Sequence, residues 1–111
     1  MALLTADELP DKSLLIVDDD APFRQRLARA MEARGFIVTA AETAEEAMAH
    51  ARKSPPAFAV VDLRLGTSGN GLDVVEALHQ ARPDARVIML TGYGNIATAV
   101  AAVKHGAVDY L

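Results

Sequence analysis

The chain has 111 residues, of which 51% are hydrophobic and only 5% aromatic, with a formal net charge of −4 and no cysteine. That length suits one domain with one real core. The acidic balance argues against a nucleic-acid surface, which needs basic side chains to neutralise phosphates, and the lack of cysteine removes disulfides and thiolate metal sites. Asp7 and Glu8 follow Met1-Ala-Leu-Leu too closely for a signal peptide, and no apolar stretch approaches the ~20 residues of a membrane span, so the expected compartment is the cytoplasm.

Apolar runs and turn residues alternate along the chain. Lys12 to Val17 reads as a first strand. Asp20 is a good N-cap for a helix with Pro22 in its first turn and Phe23, Leu27, Ala30 and Met31 at helical spacing; Gly35 sits where a C′ glycine belongs. Phe36 to Ala40 reads as a short second strand. Thr43 and Glu46 form a capping box for a helix through Ala47, Met48 and Ala51, closed by Pro55-Pro56. Phe58 to Val61 is a continuous apolar run, as expected of a central parallel strand covered on both faces. A glycine-rich loop from Gly66 to Gly71 leads into a helix carrying Leu72, Val75 and Leu78, stopped by Pro83. Arg86 to Leu90 is the predicted fourth strand. Asn95 opens a helix with a stripe of Ile96, Val100 and Val103, ended by Gly106, and Val108 to Leu111 starts a fifth strand. This alternation predicts an α/β fold, a doubly wound parallel sheet with right-handed crossovers, formed by residues 12–111 behind a tail of residues 1–11.

Three of the apolar runs end in polar residues: Leu14-Leu15-Ile16-Val17 in Asp18-Asp19-Asp20, Phe58-Ala59-Val60-Val61 in Asp62, and Val87-Ile88-Met89-Leu90 in Thr91-Gly92. Ligands of open α/β sheets bind at the carboxyl ends of the strands, so these residues should converge on one crevice. Three carboxylates crowded there should repel one another and raise at least one pKa. A hard divalent ion relieves that repulsion, and Mg²⁺ suits one or two carboxylates completed by waters and a phosphate. Asp18 and Asp19 are adjacent and suited to holding metal, whereas Asp62 stands alone and is the expected nucleophile, forming an acyl phosphate. Asp20 is expected to do no more than cap its helix.

Leu15-Ile-Val-Asp-Asp-Asp20, Val61-Asp-Leu-Arg64, Leu90-Thr-Gly92 and Ala107-Val-Asp-Tyr-Leu111 resemble, in order and spacing, the receiver domain of bacterial two-component response regulators. Asp62-Leu-Arg-Leu65 and the stretch from Leu90 to Lys104 resemble more narrowly the redox-responsive RegA/PrrA/ActR group. The resemblance implies a flavodoxin-like five-stranded sheet of order 2-1-3-4-5. It implies that Asp18 and Asp19 hold Mg²⁺ together with Asp62 and the backbone carbonyl of Arg64. Asp62 would take phosphate from the phosphohistidine of a sensor histidine kinase. Thr91 would hydrogen-bond a phosphoryl oxygen, and Tyr110 would be the aromatic switch. Such a domain is a phosphoacceptor rather than an enzyme, with at most self-phosphorylation and autodephosphorylation chemistry. It drives transcription regulation through a separate DNA-binding output domain and binds no nucleic acid or membrane itself.

Receivers carry a Lys, a Pro and a fifth helix after the switch aromatic, and here the sequence stops at Leu111, one residue past Tyr110. The chain therefore reads as a truncated receiver, with its fifth helix and output domain missing. Loss of that helix is expected to uncover the face beside the first helix, leaving it to be covered by a second copy of the chain or by the N-terminal segment through Leu3, Leu4 and Leu9; a homodimer with the tail involved is the expected answer. The loop after Asp62 is one position longer than the family's usual spacing, with Gly66 in place of a common Pro. Arg64 and Tyr93 are expected to flank the phosphoryl group and limit attack by water. Lys104, in the last turn of its helix, and His50, His79 and His105, scattered on helices, read as surface residues.

Two other readings compete. Asp18-x-Asp20 after a strand resembles the opening of haloacid-dehalogenase-type phosphatases, with Asp18 as nucleophile and Asp20 as general acid. A module that keeps the fold for interaction or dimerisation but no longer phosphorylates would follow from loss of the Lys and the last helix. A flavin-binding reading fails for want of a Ser/Thr/Gly phosphate loop after the first strand.

Overall fold

Residue parity along the strands decides which helix each side chain meets. The computed structural model describes residues 11–65, 69–90 and 100. Its elements are β1 (Ser13–Val17), α1 (Ala21–Glu32), β2 (Ile37–Ala41), α2 (Ala44–Lys53), β3 (Phe58–Asp62), α3 (Gly71–Ala81) and β4 (Arg86–Leu90). The strands form one sheet in the order β2-β1-β3-β4, every pair parallel, with Val17 opposite both Ala41 and Val61 and Asp62 opposite Leu90. This is the flavodoxin-like arrangement over its first four strands. The expected fifth strand and the residues around Val100 lie outside the described residues.

Alternate strand residues point to opposite faces. Leu14, Ile16, Phe58, Val60, Ile88 and Leu90 meet Leu27 and Met31 of α1, with Phe36 set edge-on against Phe58 at a centroid separation of 5.6 Å. Leu15, Val17, Ala59, Val61 and Val87 meet Val74 and Leu78 of α3 and the Ala44, Ala47 and Ala51 stripe of α2. Because both parities are apolar, residues 14–17 of β1 and 58–61 of β3 are all buried, as their unbroken apolar runs predicted.

The helix ends follow their caps. Asp20 accepts from Phe23 N–H at 3.1 Å and Thr43 Oγ1 from Glu46 N–H at 3.1 Å, as expected. Gly35 has φ +93° but lies two residues beyond the C-cap Ala33 rather than one. β2 begins at Ile37 rather than Phe36, because Phe36 turns inward to pack on Phe58. Of Leu72, Val75 and Leu78, the apolar residues read for α3, Leu78 is buried, Val75 half-buried and Leu72 51% exposed, while Val74 is buried beside Leu78.

On the α1-side face Phe58, Val60, Ile88 and Leu90 are each at most 6% exposed, and Val100, 7% exposed, belongs to the same cluster with α1 and Phe36. The expected cover by a dimer involving Leu3, Leu4 and Leu9 falls on residues outside the described ones. No helix among the described residues is long and apolar enough to cross a membrane.

Candidate functional site

β1 and β3 are adjacent and parallel, and their last buried residues, Val17 and Val61, are register partners. The residues that follow therefore leave the sheet side by side at its carboxyl end. One ligand atom from each of Asp18, Asp19 and Asp62 lies within 4.8 Å of the other two. Asp18 is buried at 6% exposure, Asp62 is half-buried and Asp19 is exposed, so the cluster runs from the apolar floor of the sheet out to solvent.

Short-range hydrogen bonds hold the two loops. The Asp18 N–H extends the sheet by donating to the Ala41 carbonyl at 3.1 Å, while its Oδ1 accepts from the Asp20 N–H at 2.9 Å. The Asp62 Oδ1 accepts from the Arg64 N–H at 2.9 Å, and the Leu63 N–H donates to Leu90 O at 3.0 Å. The loop beyond closes through an antiparallel bridge between Arg64 and Asn70, whose Oδ1 caps α3 by accepting from the Leu72 N–H at 2.9 Å. Gly71 then presses against the acceptor's own main chain: a Cβ there would collide with the Asp62 carbonyl oxygen and stand 2.6 Å from Leu63 Cα. Only glycine allows that approach.

Burial dominates the electrostatics. The Asp18 carboxyl is pushed up to about 6, first by burial, against the Asp20 N–H that favours its charged form, and then by the charges of Asp62, Asp19 and Asp20. The Asp62 carboxyl is also raised, again chiefly by burial, with the Asp19 charge adding and the Arg64 N–H and guanidinium opposing. The expectation that mutual repulsion would lead is corrected: a carboxylate at the foot of two apolar strands loses more from lost hydration than from its neighbours. The donor set is all carboxylate oxygen, without His or Cys, and so suits a hard divalent cation of the Mg²⁺ class.

The sequence-predicted residues divide cleanly. Asp18, Asp19 and Asp62 come together. Asp20 does not join them; it is spent on its cap, which leaves the phosphatase reading without its general acid. Arg64 is exposed, with its N–H on Asp62. His50 is exposed and His79 half-buried, and neither belongs to the cluster. Thr91, Tyr93, Lys104, His105 and Tyr110 lie outside the described residues. Three contributors were not foreseen: Asn70 as a cap, Gly71 as a spacer, and Arg24, whose Nη1 donates to the Asp18 carbonyl at 2.7 Å. The Asn70-Gly71 pair ahead of an apolar helical run carried a signal for the first two.

A family profile described as the response regulator receiver domain matches residues 14–111. The chain is 67% identical over 102 residues to the acid tolerance regulatory protein ActR of Sinorhizobium medicae, covering 92% of this chain and 52% of that protein. It is 64% identical over 101 residues to the photosynthetic apparatus regulatory protein RegA of Cereibacter sphaeroides, covering 91% of this chain and 54% of that one. Its backbone superposes with a TM-score of 0.74 on a Burkholderia pseudomallei response regulator with a phosphorylated aspartic acid, calcium ion and citrate. That match has 46% sequence identity and covers 91% of this chain and 59% of the other. The chain thus spans about half the length of the curated relatives it matches.

Proposed function

The chain belongs to the response regulator receiver domain family, and on that premise we propose that it is a phosphorelay switch in which Asp62 accepts a phosphoryl group with the help of a Mg²⁺ ion. The observation that carries this reading is the meeting of Asp18, Asp19 and Asp62 within 4.8 Å at the carboxyl ends of adjacent strands. Asp18, Asp19 and Asp62 would hold the ion, with the Arg64 carbonyl as a further ligand. When bound, Mg²⁺ neutralises charge on the transferring phosphoryl oxygens. The chain's own contribution is orientation. The Arg64 N–H fixes the Asp62 carboxylate, and the Gly71 approach fixes the main chain beneath it.

A carboxylate oxygen of Asp62 attacks phosphorus; the P–N bond of a phosphohistidine breaks, and the imidazole nitrogen leaves with the electron pair. Hydrolysis of the acyl phosphate resets the switch, water supplying the oxygen that departs with phosphate. Thr91 would donate to a phosphoryl oxygen and Tyr110 would report the modification. Residues 12–111 would form the domain and residues 1–11 a tail. The donor would be a sensor histidine kinase, and the compartment of this chain the cytoplasm. The output would be a DNA-binding domain regulating transcription, as the regulatory names of the ActR and RegA relatives suggest. Intact-mass analysis after acetyl phosphate and Mg²⁺ tests the reading. One phosphoryl group, mapped to Asp62, is the expected result; a label on Asp18, or none, overturns it.

A further inference from the structure

The acidic pocket has a cation built into its wall that none of its carboxylates touches. Arg24 sits one turn into α1, where its backbone N–H donates to Asp20 O at 2.9 Å. Its side chain runs back past the cap, and Nη1 donates to the main-chain oxygen of Asp18, six residues earlier, at 2.7 Å. The guanidinium is half-buried, and the bond is short, as a charge-assisted bond should be. A peptide unit is planar, so the Asp18 carbonyl and the Asp19 N–H turn as one body. Holding that carbonyl sets where the Asp19 main chain leaves β1.

This matters because of the three cluster carboxylates. Asp18 is held by the Asp20 N–H and Asp62 by the Arg64 N–H. The exposed Asp19 carboxylate has no hydrogen-bond donor on it among the described residues. Among the described residues, its backbone is what positions it. We propose that Arg24 is a positioning residue for the acidic pocket: through the Asp18–Asp19 peptide it places the Asp19 carboxylate where a divalent cation can use it. The inference rests on the pocket being a Mg²⁺ site. Arg26, on the same helix, and Arg34, just past its end, donate to Pro22 O and Ala30 O, carbonyls of α1 itself, and take no part in this.

The test compares Arg24→Met with Arg26→Met in the full chain by two readouts. The first is the dissociation constant for Mg²⁺ alone, by calorimetry or amide titration. The second is the metal-free amide resonance of Asp19, which reports the hydrogen bond on the carbonyl before it. Partners that orient metal ligands typically contribute 10–100-fold in affinity, so Arg24→Met should weaken Mg²⁺ binding about tenfold and shift the Asp19 amide. Arg26→Met should do neither, and Arg24→Lys, which keeps a donor able to reach the carbonyl, should restore part of the affinity. Should circular dichroism find Arg24→Met unfolded, Arg24→Gln replaces it, since the amide is too short to reach Asp18 O. Undiminished Mg²⁺ affinity in whichever variant folds overturns the role of Arg24 alone. A wild-type chain that binds no Mg²⁺ overturns the pocket reading and this inference together.

Discussion

The two ends of the sheet treat their carboxylates in opposite ways. At the carboxyl end, Asp18, Asp19 and Asp62 crowd within 4.8 Å, and burial pushes Asp18 up to about 6. At the amino end, Asp11 is paired with Arg82 at 2.7 Å and accepts from the Ser13 N–H at 2.9 Å, which holds its carboxyl down to about 2. Arg82 also reaches Asp84 at 3.4 Å and the Pro55 carbonyl at 3.3 Å, and Ser13 Oγ accepts from the Ala57 N–H at 2.9 Å. One end satisfies its charges within the chain; the other, on the proposed reading, leaves them to a divalent ion. A fold whose polar groups are matched elsewhere can carry such a mismatch at its working end, and the mismatch is what makes that end receptive.

The sharpest way to break the contrast is chemical. Asp62→Asn keeps the shape and the bond from the Arg64 N–H but removes the nucleophile. Phosphoryl uptake from acetyl phosphate should fall from one group per chain to none by intact mass. Equal labelling of the variant and the wild type would refute Asp62 as acceptor.

Next in size is the pH dependence of the carboxyl end. Asp18 ionises near pH 6 when folded and near 4 when unfolded. Its raised pKa favours the fold below pH 4, and that advantage is lost as pH rises through about 6. Two pKa units correspond to about 3 kcal/mol, an upper figure for so close a group of charges. Urea unfolding in chelator should therefore find wild type losing stability between pH 4 and pH 6. Asp18→Asn, which keeps an acceptor for the Asp20 N–H, should lose much less and be the more stable protein at pH 8. Saturating Mg²⁺ should narrow the difference by favouring the folded carboxylates. A variant with the same pH slope as wild type would remove Asp18 as the titrating group.

Gly71→Ala probes the backbone beneath the acceptor rather than its charge. The added methyl meets the Asp62 carbonyl and Leu63 Cα, neither of which is a flexible side-chain end. Overpacking of this kind costs about 1–3 kcal/mol. The urea midpoint should fall, and uptake at Asp62 should slow, whereas Leu72→Ala on the exposed next position should change neither by much. Unchanged stability in Gly71→Ala would mean that the α3 start yields freely.

Most of this architecture was legible because local and global signals agree. Arg86–Leu90 forms β4 with the predicted bounds, and the Asp20 and Thr43 caps open α1 and α2. Both central strands are buried on two faces, so their unbroken apolar runs needed no phase. Phase is where reading failed. Leu78 is buried as its spacing suggests, but Leu72 in the first turn of α3 is exposed and Val74 is buried in its place. In the site, the three carboxylates were visible as strand-end residues. Arg24 was not, because a side chain that reaches six residues back to a main-chain oxygen leaves no pattern in composition or periodicity. The cause of the raised carboxyl pKa values was misjudged for a similar reason: depth of burial is a tertiary property.

The smallest expected effect belongs to the amino end and gives the contrast its other arm. Asp11→Asn removes the charge opposite Arg82 but leaves an oxygen for the Ser13 N–H. The paired side chains are 28% and 39% exposed, so water and salt screen them, and pairs of this kind contribute about 0.2–1 kcal/mol. The sign is opposite to that of Asp18. Asp11 has a depressed pKa, so its contribution is present above pH 4 and disappears as pH falls through about 2. Urea midpoints of Asp11→Asn and wild type should differ slightly at pH 6, converge at pH 2, and converge also at pH 6 in 1 M salt, where the screening length shrinks to ~3 Å. With Asp18 favouring the fold below pH 4 and Asp11 above it, these two groups together draw the stability maximum of the metal-free chain toward the acid side of neutrality. A stability maximum at pH 7 without metal would mean that the two ends do not balance in this way.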